Sequence, residues 1–171
     1  MTRLLLGLLV VAFFVLCVAG MWLGWRNRQR RQADLPNPPV CPDVDALGEP
    51  LLPPMTGVYV GTTTAGDWQD RIAVHGLGAR AAVDMTLYER GVLLAGASSL
   101  WLPAETLTDA RTARALAGKV MGTDGLLVFR WRLGDRELES GVRGDEPDAY
   151  RDWTTAVRAM AAADAQRGEQ S

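Results

Sequence analysis

The chain has little of what most often builds reactive or stapled sites: two cysteines and one histidine in 171 residues. Two cysteines exclude a disulfide-dense scaffold, and adding one histidine still leaves a four-ligand structural zinc site unfilled. Excess positive charge is missing too. The 18 Lys and Arg residues face 20 Asp and Glu, a net of −2, so a general nucleic-acid binder, whose footprint is strongly basic, is excluded. Phosphate-loop and dinucleotide motifs are absent: His75-Gly76-Leu77-Gly78 and Ala117-Gly118-Lys119 each lack the remaining positions. No signature sets Ser98, Ser99 or another hydroxyl beside His75, and a nucleophile without a base is inert. The acid pairs Asp67/Asp70, Glu137/Glu139 and Asp145/Asp148 read more simply as a polar loop, outward strand positions and a helix cap. No enzyme, no catalytic residue, no metal and no cofactor are therefore expected.

Charge is also missing from one long run. Leu4 to Trp25 is 22 residues without a charged side chain. As a helix it reaches about 33 Å, against a hydrocarbon core of roughly 30 Å. Trp22 and Trp25 lie at its far end, where an indole keeps its ring apolar and its N–H wet. Arg26, Arg28, Arg30 and Arg31 follow at once and stop the span. With only Arg3 on the other side, the positive-inside bias expects an outside N-terminus and a cytoplasmic C-terminal body at the plasma membrane. A cleaved signal peptide ending at Val18-Ala19-Gly20 is the rival reading. Its apolar core is normally 7–15 residues, shorter than this one, and a basic block just after the cut opposes export.

The divisions expected are a transmembrane helix at 4–25, a basic stop and proline-rich linker at 26–55, a folded domain at 56–163 and a flexible tail at 164–171. The linker holds seven of the nine prolines. Proline removes an amide donor and fixes φ, so the stretch is expected as an extended, semi-rigid stalk. Cys41 within it reads as a free reduced thiol.

Short β patterns fill the domain. Thr56–Thr62 reads as a first strand; Val83, Met85 and Leu87 alternate with polar neighbours; Val92–Ala95 and Leu100–Leu102 follow, with Pro103 ending that strand or lying on an edge. Residues 104–118 are ambiguous between helix and strand, and a strand from near Leu107 is expected. Leu127, Phe129, Trp131 and Leu133 share one face of a strand. Gly134-Asp135 turns it into a return strand with Leu138 and Val142 inward. Arg130 and Arg132 oppose Glu137 and Glu139 as solvated structural charges. Asp145 is the expected N-cap of a closing helix whose Tyr150, Trp153, Val157 and Met160 form one apolar stripe.

Hairpins closed by one amphipathic helix resemble a pleckstrin-homology-like (PH-like) domain. The resemblance is carried by Gly57–Thr63, Gly66–Arg71, Tyr88–Val92, Leu100–Pro103 and Asp148–Trp153. More narrowly, the layout resembles actinobacterial single-pass membrane proteins with a cytoplasmic PH-like domain. It implies a mainly β barrel or sandwich of about seven antiparallel strands capped by a C-terminal helix. The function expected is a membrane-anchored, non-enzymatic interaction or scaffold module. The alternatives are a lipid- or small-ligand-sensing domain, or an accessory subunit of a membrane transport or export complex. Expected partners are the bilayer, through the N-terminal helix, and another membrane or cytosolic protein. Candidate contact residues are Trp68, Arg71, His75 and Arg80. Residues 56–171 carry 13 basic and 16 acidic side chains, which weakens the lipid alternative, since each well-placed basic residue contributes only about 1 kcal/mol at an anionic leaflet. Trp68 lies in a stretch read as a long polar loop. It is expected to fold onto the barrel mouth as an anchor, or else to await a partner.

Overall fold

The computed structural model describes the backbone of every residue except Met1, Ala33, Ser98, Ala117, Gly118, 121–124, Gln170 and Ser171. It describes side chains except at 1–5, 25, 27–31, 33, 98, 115–124 and 169–171. The chain divides into two compact units, Met1–Asp34 and Leu35–Ser171. The first is a helix, α1 (Thr2–Arg31). Its Leu6–Gly24 stretch is long and apolar enough to cross a membrane, a criterion that an export signal also meets. Near its end the Arg26 guanidinium carbon sits 5.3 Å from the Trp22 ring centroid, a cation–π distance.

The second unit is an antiparallel β body. Its strands are β1 (Met55–Thr64), β2 (Asp67–Arg71), β3 (Ala81–Tyr88), β4 (Gly91–Gly96), β5 (Leu100–Pro103), β6 (Leu107–Ala113), β7 (Ala115–Leu116), β8 (Lys119–Val120), β9 (Leu126–Leu133) and β10 (Arg136–Gly144). Seven of them run in the order β5-β4-β3-β1-β10-β9-β6, β2 adds to β1, and β7 pairs β8 in a separate hairpin. The sheet is open: its edge strands β5 and β6 are joined by a 3-10 turn, Ala104–Thr106, and are not neighbours. The ambiguous 104–118 stretch thus becomes a turn and then a strand starting at Leu107.

Period-two alternation builds the core. Val83, Met85 and Leu87 of β3 and Leu127, Phe129, Trp131 and Leu133 of β9 join one buried cluster with Leu138 and Val142 of β10. The second helix, α2 (Tyr150–Glu169), closes it with Tyr150, Trp153 and Val157, the Trp153 ring edge-on to Phe129 at 6.2 Å and 61°. Each such side chain stabilises the closure by about 1.5–3 kcal/mol. Arg158 fastens the helix to β6 through Asp109 at 2.9 Å.

Four expectations are corrected. Asp145 is not the helix cap: its amide donates to the Thr56 carbonyl and its carboxylate accepts from Thr56 Oγ1 at 2.7 Å, which ties the end of β10 to β1. A 3-10 turn, Pro147–Ala149, leads into α2 instead. The helix continues to Glu169, well into the stretch expected as a flexible tail. Glu139 is not a solvated charge; it is 1% exposed. Lastly, residues 35–54 are no free-standing stalk, because Leu35 and Leu47 are apolar and take up buried positions. Leu35 belongs to the principal core. Leu47 packs with Tyr88, Leu93 and Trp101 beside the half-buried Cys41, whose thiol burial pushes upward in pKa. The Leu51 amide donates to the Leu87 carbonyl at 2.8 Å. This stretch is a strap laid on the sheet.

Candidate functional site

The polar stretch after β1 folds into a corner rather than a long loop. Ala65-Gly66 turns the chain and β2 returns against β1 at two register positions, Thr63↔Arg71 and Thr64↔Asp67. The corner consumes its own acids. Asp67 Oδ1 accepts from the amides of Gln69 and Asp70 at 3.0 and 3.2 Å, and Asp70 Oδ2 accepts from Thr64 Oγ1 at 2.7 Å. Trp68 therefore stands on a short strand. It is 41% exposed, which overturns its expected burial as a loop anchor. Arg71, at the strand's end, packs over Gly61 and donates to the Val60 carbonyl.

The following loop carries His75 in a left-handed conformation, φ +55°, a strained state for a residue with a Cβ. Its Nε2–H donates to the Leu35 carbonyl at 2.8 Å. Arg80 is exposed at the loop's end. The structure thus separates the four candidates: Trp68 and Arg80 face solvent, while Arg71 and His75 are engaged by backbone carbonyls. Of the membrane-interface candidates, Trp22 and Arg26 meet on α1, and Trp25, Arg28, Arg30 and Arg31 have side chains outside the described set.

A cleft of about 350 Å³, its mouth included, lies between the strap and the body, with Pro38, Tyr59, His75, Leu77, Val83 and Leu100 among its lining. Ser99 lines it too, but the His75 Nε2–H goes to Leu35 and the lining holds no carboxylate. Ser98 lies outside the described residues.

A directed chain of hydrogen bonds runs from this cleft into the core. Tyr59 has one hydroxyl proton, given to the Leu77 carbonyl at 2.8 Å. The 2.6 Å contact with Thr62 must then be donated by Thr62. Ser140 in turn donates to Thr62 at 2.6 Å, and Trp131 Nε1–H donates to Ser140 at 3.0 Å. Each proton has one place to go. Burial pushes the Tyr59 hydroxyl up to about 12, against the smaller lowering by Thr62, Ser140 and the Arg71 charge.

On the sheet's other face Glu139 accepts from Arg130 at 2.7 and 3.1 Å and from Arg111 at 2.9 Å. The carboxylate raises the affinity of Arg130 for its proton, chiefly through those hydrogen bonds. Among the described residues this cluster is paired ion chemistry with its charges turned on one another. Sequence reasoning missed Pro38 and Tyr59 as contributors to a shared cleft and Leu35 as a core residue. The available signal was the set of leucines scattered among the linker's prolines, since an extended solvated stalk has no use for them.

No curated protein sequence matches the chain. A family profile described as Bacterial PH domain-like matches residues 34–158. That match begins where the strap begins, spans every strand, and ends inside α2 just beyond Trp153 and Val157. Covering most of the chain, it shows that the protein belongs to the bacterial PH domain-like family.

Proposed function

We propose that the protein is a non-catalytic interaction module tethered to the cytoplasmic face of the plasma membrane by α1, in the layout of actinobacterial single-pass proteins. Tethering confines the body to two dimensions and raises its effective concentration toward membrane partners. The observation that carries the reading is Trp68, a large aromatic 41% exposed on a strand paired on one side only. Exposed tryptophans dominate the energetics of protein contacts, and an open strand edge offers unpaired backbone groups beside it. The acidic balance of the body and the engagement of Arg71 and His75 by carbonyls support a protein partner over a lipid headgroup.

Photo-crosslinking from position 68 of the full chain in native membranes tests this. A discrete protein adduct is expected from position 68 and none from exposed Arg167 on α2. Equal adducts from both, or none, refute the reading. The sidedness is tested separately with Gln166→Cys: a membrane-impermeant maleimide labels it only after permeabilisation, and labelling of intact cells refutes the orientation.

A further inference from the structure

Residues 35–38 sit on the body as a peptide sits on a receptor. The Leu35 side chain is 3% exposed within the principal core, and its carbonyl is clipped by His75 at 2.8 Å. Pro36 lies against the β9–β10 turn. A Cβ on Gly134 would come within 3.2 Å of the Pro36 ring, and Gly134 has φ +58°, so glycine there serves both the turn and the contact. Pro38 lines the cleft with Tyr59, Leu77, Val83 and Leu100.

The backbone tells the same story. Among the described residues, no backbone–backbone hydrogen bond ties 35–42 to the sheet. Prolines at 36, 38 and 39 leave few amides to satisfy, so the segment lies on the body without joining a strand ladder, with Pro38 at the cleft. Its hold comes from a buried leucine, the half-buried Pro38 ring in a cleft shared with Tyr59, and one side-chain donor to a carbonyl. That is the set of contacts by which proline-rich segments are recognised.

We propose that this cleft and the adjoining core seat of Leu35, joined by His75, form a binding site for apolar leucine–proline segments, that Leu35–Pro38 is its resident ligand held in cis, and that a partner segment of the same chemistry exchanges with it. The proposal is independent of the Trp68 surface and of the sidedness of α1. A short covalent tether sets the cis ligand at an effective concentration in the millimolar range, so a free peptide competes poorly until the cis segment is disabled.

The test uses the full chain in lipid nanodiscs and a fluorescent peptide of residues 34–40, Asp-Leu-Pro-Asn-Pro-Pro-Val, read by anisotropy. Two variants disable the cis segment, Leu35→Ser and Pro38→Asp. Each is expected to bind the peptide at least about tenfold more tightly than the unmodified chain. A peptide with serine in place of leucine is expected not to bind, and adding His75→Ala to Leu35→Ser is expected to reverse the gain. Near-UV circular dichroism reports the fold, and either folded variant decides the matter. The proposal is overturned if a folded variant binds no better than the unmodified chain, or if the serine peptide binds equally. It is also overturned if both variants lose the near-UV signal, because residues 35–38 are then part of the fold and not a ligand.

Discussion

Ser140→Ala tests whether the buried hydrogen-bond chain runs in the direction its proton count requires. Ser140 is fully buried and accepts from Trp131 Nε1 at 3.0 Å while donating to Thr62 at 2.6 Å. Alanine removes both roles at little cost in volume. The Trp131 N–H is then stranded inside a wholly buried residue, and the rigid indole cannot re-aim it, a loss of about 1–3 kcal/mol. Thr62 keeps its bond to Tyr59 and loses one ordinary hydrogen bond, about 1 kcal/mol. The expected destabilisation is therefore about 2–4 kcal/mol. Tyr59→Phe, at the other end, is expected to cost less, about 1–2 kcal/mol. The Leu77 carbonyl still accepts the Thr62 amide at 2.9 Å, and the Thr62 hydroxyl still accepts from Ser140. Urea unfolding of the full chain in mild detergent, followed by near-UV circular dichroism, measures both. If Tyr59→Phe proves the more costly, or Ser140→Ala falls below about 0.5 kcal/mol, the direction assigned here is wrong.

Three further outcomes are expected. Because the folded Tyr59 hydroxyl is raised to about 12, its contribution is complete below the unfolded value near 10 and is lost as pH climbs toward 12, about 2.7 kcal/mol in full. Tyr150 is also raised, first by burial, and acts with the same sign, so the check is the shallower alkaline fall of Tyr59→Phe in unfolding midpoints between pH 9 and 11.5. Gly91→Ala should cost at least about 3 kcal/mol by chemical denaturation, since φ is +146° and a Cβ would stand 2.2 Å from the Leu102 carbonyl oxygen. A near-neutral result would mean β4 and β5 do not approach as described. Arg130→Met leaves the buried Glu139 carboxylate with Arg111 alone and should cost about 2–3 kcal/mol, trimmed by solvent because Arg130 is a third exposed. Arg111→Met, removing one bond instead of two, should cost less in the same assay, and the reverse order counts against the assigned geometry.

The hairpins were legible because one face of each strand is apolar. Leu127, Phe129, Trp131 and Leu133 announce period two directly, and the stripe Tyr150, Trp153, Val157 announces period 3.6. What stayed hidden depended on contacts distant in sequence. Nothing local to Glu139 says that Arg111, 28 residues earlier, completes its pairing, so alternation alone placed it in water. The strap was hidden for the opposite reason: its prolines carry a strong local signal for extended chain, and extended chain lies on a sheet as readily as it projects from one. The strand under Trp68 was missed, and the anchor alternative preferred, because five residues, Asp67–Arg71, are too few and too polar to show a period. Arg71 and His75 were legible as charged and polar side chains, but their engagement by the Val60 and Leu35 carbonyls is a property of the folded corner.

Glu139 and Ser140 are consecutive on β10 and face opposite sides, so together they specify how the strand must lie. β10 is hydrogen-bonded on both edges, to β1 and to β9. Its register sets Glu139 against Arg130 and Thr63, and Ser140 against Phe129 and Thr62. A slip by one residue exchanges the two faces. It would drive a carboxylate among Phe129, Trp131 and Trp153 with no guanidinium in reach, and turn the acceptor of the Trp131 N–H outward. Either error alone costs several kcal/mol, comparable to the whole stability of a domain this size. An all-apolar β10 would bury area equally well in both registers. The two polar residues therefore act twice: removing either strands a buried partner in the native register, and together they make the neighbouring register inaccessible.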